Sequence, residues 1–273
     1  MNADSAERGK LLDIRNLTIR FKGKRTVHAI NDVSLSMEQG ETLALLGESG
    51  SGKSVTLKAL LGLLPPLAGS IMLDGDDLAS LPRSTIARRI AYVPQAHMTA
   101  FPFMVADIVL MGRTAATGLF SRPDRKDRGI AMAALERLGI ADLAERDYTT
   151  LSGGQRQLVL IARALAQQAG IIVMDEPTAS LDFANQSLVL AEIAKLARAE
   201  EEEACGILLS THDPDQAFLL DAGVALMAGG GIAARGRAAV ILTGEALSRV
   251  YGIPITVEKT PSGRSVCSTR LVE

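Results

Sequence analysis

Hydrophobic and polar positions change their spacing along the chain, and this spacing predicts which segments are strands. Apolar residues alternate with polar ones at residues 17–21 and 33–37, which predicts two strands joined by a basic turn at residues 23–26. Short runs without a polar face occupy residues 42–46, 91–93, 171–174 and 206–210. Such runs are typical of parallel strands that are covered on both sides.

Helical spacing appears between these runs. It predicts a helix over residues 55–64 that stops at Pro65-Pro66, because proline cannot continue a helix. It also predicts helices over residues 155–168 and 184–203. We expect the acidic end of the last helix to fray, because carboxylates are unfavourable near a helix C-terminus.

The order of these elements predicts one α/β domain with an insertion. Strands that alternate with helices indicate a mainly parallel sheet, here preceded by an antiparallel β subdomain. We expect residues 11–95 and 151–255 to form the core and residues 96–150, where helical spacing dominates, to form an inserted helical subdomain. Residues 256–273 are then a C-terminal extension. A chain of 273 residues can bury a large core without disulfides or metals.

Composition and charge exclude several other classes of protein. Hydrophobic residues make up 47% and charged residues 22%, which is typical of a globular protein and not of a disordered chain. A net charge of −2 gives no electrostatic footprint for nucleic acid. No apolar run approaches the ~18 residues of a membrane helix, and residues 1–10 lack the apolar core of a signal peptide. Cys205 and Cys267 lie far apart, and we expect two reduced thiols in the cytoplasm.

The strongest motif follows the apolar run at residues 42–46 and precedes a helical pattern. It comprises Gly47, Glu48, Ser49, Gly50, Ser51, Gly52, Lys53 and Ser54, with Val55 opening the helix. This is a P-loop, in which glycines let backbone N–H groups turn inward and bind phosphate at a helix N-terminus. We expect Lys53 to reach the β- and γ-phosphates and the Ser54 hydroxyl to ligate Mg²⁺.

A second constellation ends the apolar run at residues 171–174. Asp175 and Glu176 follow it directly, at the edge where open α/β sheets bind ligands. We expect Asp175 to hold Mg²⁺ or its water and Glu176 to orient and polarise an attacking water. An acidic pair after a strand is common, but beside a P-loop it indicates nucleotide hydrolysis.

A third motif, Leu151-Ser152-Gly153-Gly154-Gln155, opens a helix. Glycines before a helix again form an anion site, here without a lysine. Ser152 also suits a simple helix N-cap, and capping is compatible with phosphate binding. Two phosphate-binding helix starts in one chain suggest a dimer in which each site faces a nucleotide held by the partner.

Together these residues resemble the ATP-binding cassette (ABC) ATPases, the nucleotide-binding subunits of ABC transporters, over roughly residues 11–255. The Walker A motif (47–54), the signature (151–155) and the Walker B motif (171–176) occur in the family's order. Three smaller matches support the resemblance. They are Gln95 for the Q-loop, Ser180-Leu181-Asp182 for the D-loop and His212 for the switch histidine.

The resemblance implies a P-loop ABC ATPase fold and a head-to-tail dimer of two identical chains with two ATP molecules at the interface. Each ATP then lies between Walker A of one chain and Ser152, Gly153, Gly154 and Gln155 of the other, and Asp182 crosses the interface.

The resemblance also implies roles at the γ-phosphate. Gln95 is expected to sense the γ-phosphate and Mg²⁺, so the metal set is Ser54, Gln95 and Asp175. His212 is expected to contact the γ-phosphate and to fix Glu176 and the water, and Glu176, His212, Lys53 and Gln95 form the catalytic set.

The adenine position departs from the family pattern, which often places a Tyr or Trp there. Phe21 fits by its place 26 residues before Gly47, and it either stacks on the adenine or packs in the core. His28 is a poorer candidate and fits a surface residue.

The type of transporter is indicated by residues 101–113 and 174–186. Both segments are similar to bacterial importers of chelated metals, which implies iron–siderophore as the substrate, with molybdate, cobalamin or haem as alternatives. Residues 27–30 and 47–56 are instead similar to oligopeptide importers, but the middle of the chain contacts the membrane partner in this family, so it decides the assignment. The family implies a peripheral protein on the cytoplasmic face of the bacterial inner membrane, polytopic permease subunits as partners and, indirectly, a substrate-binding protein. Phe101, Phe103 and the residues around Met111 fall where a permease helix would dock.

Two other classes compete with a transporter. Soluble ABC ATPases that act on DNA or ribosomes usually carry paired cassettes, coiled-coil insertions or zinc modules, and the sequence contains none of these. A P-loop kinase for small molecules is contradicted by the signature motif. We therefore expect no nucleic-acid partner.

Overall fold

A computed structural model describes residues 10–21, 27–95, 102–117, 122–179, 181–198 and 205–269. Four features expected from the sequence lie outside these residues: the turn at 23–26, Phe101, Ser180 and the acidic run at 200–203.

The elements alternate as the sequence predicted. The strands are β1 (Lys10–Phe21), β2 (Val27–Glu38), β3 (Thr42–Leu46), β4 (Ala68–Leu73), β5 (Asp76–Asp77), β6 (Ile90–Val93), β7 (Ile171–Asp175), β8 (Gly206–Thr211), β9 (Gly223–Ala228), β10 (Gly231–Arg237), β11 (Ile255–Lys259) and β12 (Ser265–Thr269). The α-helices are α1 (Lys53–Leu60), α2 (Arg83–Arg89), α3 (Val105–Leu110), α4 (Thr114–Thr117), α5 (Arg125–Arg137), α6 (Gly153–Ala166), α7 (Phe183–Ala197), α8 (Pro214–Leu219), α9 (Ala238–Ile241) and α10 (Gly244–Tyr251).

Within the described residues, the main sheet has the order β10-β9-β3-β8-β7-β6. Its neighbours are parallel except for β10, which pairs antiparallel with β9 at one edge. A second, antiparallel sheet has the order β2-β1-β4-β5. The α/β fold class expected from the sequence is confirmed, and it includes an antiparallel subdomain. This subdomain does not lie wholly before the core, because its strands β4 and β5 follow β3 and α1 in the chain.

The main sheet is buried on both faces, which explains its unbroken apolar runs. On β3, Ala44 and Leu46 belong to the cluster that contains the helices of residues 105–166. Leu43 and Leu45 belong to the cluster that lies against the antiparallel sheet and α1. Neighbouring residues of a strand point to opposite faces of the sheet. When both faces are covered, every position is apolar, and the sequence shows no alternation of apolar and polar residues.

Helix α1 ends at Leu60, earlier than the apolar spacing predicted. Gly62 adopts a left-handed backbone with φ of 68°. Its N–H donates to the carbonyl of Ala59, and the next N–H, of Leu63, donates to the carbonyl of Lys58, both at 2.9 Å. These two bonds form a Schellman motif that closes the helix before the prolines are reached.

The segment from α3 to α6 is helical, and the C-terminus of α6 is tied to the rest of it by Arg113. The side chain of Arg113 is 9% exposed, and its guanidinium donates to Asp127 Oδ1 at 3.0 Å. It also donates to the carbonyl of Ala166 at 2.9 Å and to Gln168 Oε1 at 3.0 Å. The hydrogen bond from Arg113, followed by one from the backbone N–H of Asp124, holds the pKa of Asp127 below its usual range. Arg113 thus joins α5 to the last turn of α6.

Gly112 offers a test of this packing, because a Cβ there would overlap the carbonyl oxygen of Arg163. We expect Gly112→Ala to lower the free energy of unfolding by about 1–3 kcal/mol, the usual cost of overpacking. The matched control is Gly129→Ala, because Gly129 is exposed in α5 with nothing near its missing Cβ. That change should raise stability by about 0.5–1 kcal/mol. Urea denaturation measures both changes. A Gly112→Ala protein with the free energy of unfolding of the wild type would contradict the close approach of Gly112 to Arg163.

The C-terminal extension forms an antiparallel hairpin, β11–β12, that the sequence analysis left without structure. Cys205 and Cys267 are free thiols, as expected. Burial, followed by the nearby charge of Asp215, raises the pKa of Cys267 to about 12. In the part of the chain that the structure describes, no helix is long and apolar enough to cross a membrane.

Candidate nucleotide site

The loop between β3 and α1 wraps back on its own backbone. Gly52 caps α1 in a left-handed conformation with φ of 104°, which favours glycine. At Gly47 a Cβ would overlap the carbonyl oxygen of Met227, so a side chain is excluded there. The strand before the loop and the helix after it are those predicted. The glycines therefore allow the close backbone turn that a phosphate cradle requires.

Lys53 is 4% exposed and points into this loop. Its Nζ donates to the carbonyls of Gly47 at 2.7 Å and Glu48 at 2.8 Å, and it lies 4.0 Å from Glu176 Oε1. Burial lowers the pKa of Lys53, while the charges of Glu176, Asp175 and Glu48 oppose that shift. Among the described residues, two backbone carbonyls and a carboxylate 4.0 Å away surround this buried ammonium, which suits it to an anionic ligand.

Asp175 joins the loop to the end of β7. Its Oδ1 accepts hydrogen bonds from Ser54 Oγ at 3.0 Å and from Ser210 Oγ at 2.7 Å. A hydroxyl oxygen and a carboxylate oxygen this close together are the kind of ligands that Mg²⁺ prefers. The sequence analysis did not assign a role to Ser210, although it follows an apolar strand that pairs with β7.

Glu176 follows directly, in a left-handed backbone with φ of 45°. Its N–H donates to Ser210 Oγ at 2.9 Å. Its Oε2 accepts from Gln95 Nε2 at 3.4 Å and lies 3.3 Å from His212 Nδ1. A non-glycine residue in this conformation costs energy and persists only where the surroundings hold it. Gln95, Glu176 and His212 thus meet at one carboxylate. The family resemblance implied that His212 fixes Glu176, whereas the hydrogen bond from Gln95 to Glu176 was not predicted.

A cavity of about 320 Å³ adjoins Glu176 and is shaped by a buried glutamine. Gln216 is 5% exposed, and its Oε1 accepts from Thr178 Oγ1 at 3.1 Å and Thr211 Oγ1 at 2.9 Å. Its Nε2 donates to Asp213 Oδ2 at 3.3 Å. Gln216 therefore links the loop after β7 to the segment after β8. The sequence analysis missed this residue, which carries no motif of its own.

A buried hydroxyl in the loop is a second feature that suits it to the phosphates of a nucleotide. Among the described residues, Ser51 Oγ is buried with no hydrogen-bond partner. Such a hydroxyl costs free energy unless a ligand or water satisfies it. Ser54 and Asp175, with Gln95 nearby at Glu176, have side-chain oxygens of the kind that would hold Mg²⁺. The site is therefore suited to ATP with Mg²⁺.

The signature segment begins α6 with a capping box. Gln155 N–H donates to Ser152 Oγ at 3.3 Å, and Ser152 N–H donates to Gln155 Oε1 at 3.1 Å. Helix α6 consequently begins at Gly153, earlier than predicted. A Cβ on Gly154 would overlap the side chain of Asn185, so this helix start packs against that of α7.

The start of α7 is capped by Asp182, whose Oδ1 accepts from Asn185 N at 2.8 Å. Asp182, Ser152 and Gly153 are all exposed. The hydrogen bonds described for these residues stay within the α6–α7 corner and do not reach Lys53 or Glu176. Within the described residues, the chain thus presents two separate glycine-rich helix starts.

Comparison with known proteins decides the family. The family model for ABC transporters matches residues 30–179. The chain belongs to the ABC transporter family. An ABC transporter ATP-binding protein from Haemophilus influenzae, itself uncharacterised, is 44% identical over 88% of this chain and 89% of its own.

Two further relatives carry substrate names. A molybdate import ATP-binding protein from Haemophilus influenzae is 35% identical over 90% of each chain. A hemin import ATP-binding protein from Burkholderia ambifaria is 38% identical over 86% of this chain and 91% of its own.

Two solved structures share the ABC fold. One is an ABC transporter assigned to the metal-chelate type, in an inward-facing conformation. It aligns with a TM-score of 0.83 at 32% identity and covers 96% of this chain and 98% of its own. The other is a dimeric ATP-binding cassette bound to ADP and phosphate, with a TM-score of 0.70, 25% identity and coverage of 83% and 98%.

The adenine candidate in this ABC chain lies on the surface. Phe21 is 42% exposed at the end of β1, so its alternative as a core aromatic is wrong. His28 is also exposed, as expected. Stacking of adenine on Phe21 stays a prediction.

Proposed function

We propose that this chain binds and hydrolyses ATP and thereby energises an importer for a chelated metal, with iron–siderophore as the substrate. The observation that carries the proposal is the meeting of Lys53, Asp175, Gln95, Glu176 and His212 at the ends of adjacent strands. These residues come from four segments of the chain, and together they supply a cation for the phosphates, a metal ligand and a base.

Binding is assigned to the loop of residues 47–54. Its backbone N–H groups and the N-terminus of α1 hold the phosphates, while Lys53 supplies a positive charge. Ser54, Asp175 and Gln95 hold Mg²⁺, which when bound neutralises charge on the phosphates.

Hydrolysis is assigned to Glu176. Its carboxylate accepts a hydrogen bond from an attacking water and takes up the proton as the water attacks the γ-phosphorus. The bond between the γ-phosphorus and the β–γ bridging oxygen breaks in the same reaction, which releases ADP and phosphate. Gln95 and His212 contact Oε2 of this carboxylate, and we assign Oε1, which lies 4.0 Å from Lys53 Nζ, to the water. The hydrogen bonds to Ser210 fix the Glu176 backbone and therefore the direction of its side chain.

A second copy completes the site in this proposal. Ser152, Gly153 and Asp182 are exposed at the α6–α7 corner, and we assign them to the nucleotide held by the partner chain. Phe183, beside them, is 88% exposed. A head-to-tail pairing covers this surface with the Walker A loop of the partner and brings the signature onto the partner's ATP.

The membrane partner is expected at an exposed apolar surface on the helical segment. Phe103, Met104 and Met111, called the docking patch below, are 38%, 48% and 45% exposed. We assign this patch to a helix of a polytopic permease subunit, because an apolar surface on the helical segment suits such a contact. The chain is then peripheral on the cytoplasmic face of the bacterial inner membrane, and a substrate-binding protein acts indirectly through the permease.

The docking patch can be tested separately from hydrolysis. The double variant Phe103→Ser, Met111→Ser should keep its ATPase rate in solution but lose its association with host membranes, as measured by sedimentation. The matched control is Met132→Ser, because Met132 is 38% exposed on α5, outside the patch. Equal sedimentation of the double variant and the wild type would contradict the assignment.

The substrate is tested in the host by uptake. Cells whose chromosomal copy carries Glu176→Gln should lose uptake of ⁵⁵Fe–siderophore while molybdate uptake stays unchanged. Loss of molybdate, haem or cobalamin uptake, with iron–siderophore uptake intact, would keep the importer and replace its substrate.

A further inference from the structure

The C-terminal part of the chain holds the segment that carries His212 at two points. Tyr251 OH donates to the backbone carbonyl of His212 at 2.8 Å. The backbone N–H of Cys267, on β12, donates to Asp215 Oδ1 at 2.8 Å. The segment 212–215 is thus tied to α10 at its first residue and to the hairpin at its last. We call these two hydrogen bonds the C-terminal clamp.

Tyr251 is itself held firmly. Helix α10 is capped by Thr243, whose Oγ1 accepts from the N–H of Ala246 at 3.2 Å, and Leu247 is fully buried. Ser248 Oγ accepts from the N–H of Ile255 at 2.8 Å, which fixes α10 against β11. These contacts fix the position of α10, and therefore that of the Tyr251 phenol.

The phenol of Tyr251 keeps its proton at neutral pH and can therefore donate this hydrogen bond. Burial raises its pKa, and the charges of Asp213, Cys267 and Glu48 act in the same direction. Its neighbour Val250 lines a small cavity with Glu48 and Ser51 of the Walker A loop. Helix α10 therefore reaches the nucleotide loop and the His212 segment together.

His212 needs such support because its side chain is 59% exposed and its contact to Glu176 spans 3.3 Å. Little protein packs around the imidazole, so its position depends on the backbone that carries it. We infer that the C-terminal clamp positions His212 beside Glu176, and that Tyr251 is a positioning residue for ATP hydrolysis. This inference rests on the proposed function, in which His212 acts at the γ-phosphate.

The first test separates positioning from nucleotide binding. Tyr251→Phe removes one hydroxyl and should lower kcat about fivefold, the worth of one hydrogen bond, with the Kd for ATP unchanged. Asp215→Ala, which removes the other tie, should give the same kcat-only effect. Thr256→Val is the matched control, because it removes a hydroxyl that bonds Ser268 within the same hairpin. Wild-type kcat in both Tyr251→Phe and Asp215→Ala would overturn the clamp.

A second test asks whether Tyr251 acts through His212. In a His212→Ala background, Tyr251→Phe should have no further effect on the residual rate measured with radiolabelled ATP. An equal fall of the rate in both backgrounds would mean a general structural role and would overturn the inference.

A spectroscopic signature keeps the clamp testable even without hydrolysis. The chain has three histidines, so ¹⁵N-histidine labelling gives a simple NMR spectrum. Tyr251→Phe should shift or broaden the His212 imidazole signals and leave those of exposed His28 in place. Absence of ATPase activity in the wild type would refute the proposed function alone, whereas unchanged His212 signals would refute the clamp alone.

Discussion

Glu176→Gln is expected to retain ATP and to lower its hydrolysis by about 10²–10⁴-fold, the usual contribution of a general base. Glutamine keeps the shape of the side chain and can still accept the hydrogen bond from Gln95, but it cannot take up the proton of the attacking water. Release of phosphate from purified protein measures the rate, and ATP retained after gel filtration measures binding.

The same variant should accumulate as the ATP-bound dimer, because the step that separates the two chains is blocked. Gel filtration with ATP and Mg²⁺ should give twice the monomer mass, and omission of ATP should restore the monomer. Glu245→Gln is the control, since Glu245 is exposed on α10 and pairs only with Arg249 among the contacts described for it. A Glu176→Gln protein that stays monomeric with ATP, or that hydrolyses it near the wild-type rate, would refute this assignment.

Lys53→Ala is the second change with a large expected effect. It removes a buried ammonium that the loop now holds through the carbonyls of Gly47 and Glu48. Hydrogen bonds that involve a charged group contribute about 1.5–3 kcal/mol, so we expect ATP affinity to fall about 10- to 100-fold. Isothermal titration calorimetry with ATP and Mg²⁺ measures the loss.

Helix α1 offers the matched control for this change. Lys58 lies on the same helix but is exposed. Lys58→Ala should therefore bind ATP as the wild type does. Circular dichroism should show both variants folded, because neither change opens a cavity in the apolar clusters. Wild-type affinity in folded Lys53→Ala would contradict the role of Lys53.

Much of the fold was predictable because buried strands and helices carry recognisable patterns of apolar residues in the sequence. The apolar run at residues 171–174 is typical of a strand covered on both sides, and β7 lies inside the main sheet. The acidic pair that follows was therefore expected at the C-terminal ends of the sheet's parallel strands. The contact of His212 with Glu176 was likewise expected, although from the family resemblance and not from spacing, whereas the hydrogen bond from Gln95 to Glu176 was not predicted.

The remainder depends on contacts between distant segments that leave no local pattern. Gln216 matters because two threonines from separate loops converge on its amide. Tyr251 matters because α10 places its hydroxyl against the carbonyl of a residue 39 positions earlier. The early end of α1 is different, since Gly62 was a visible signal for a helix C-terminus that the apolar spacing concealed. The hairpin β11–β12 was also readable from the alternation around Pro261-Ser262-Gly263.

The central claim, that this cassette drives a membrane importer, is tested most directly by capture of its partner. Tagged Glu176→Gln protein, held with ATP and Mg²⁺, is incubated with detergent-solubilised membranes of its own host, recovered, and analysed by mass spectrometry beside the docking-patch double variant. We predict recovery of a polytopic membrane protein with Glu176→Gln alone and its loss when the patch substitutions are added. Recovery of ribosomal or DNA-binding proteins, with no membrane protein, would contradict the claim and leave only an ATPase.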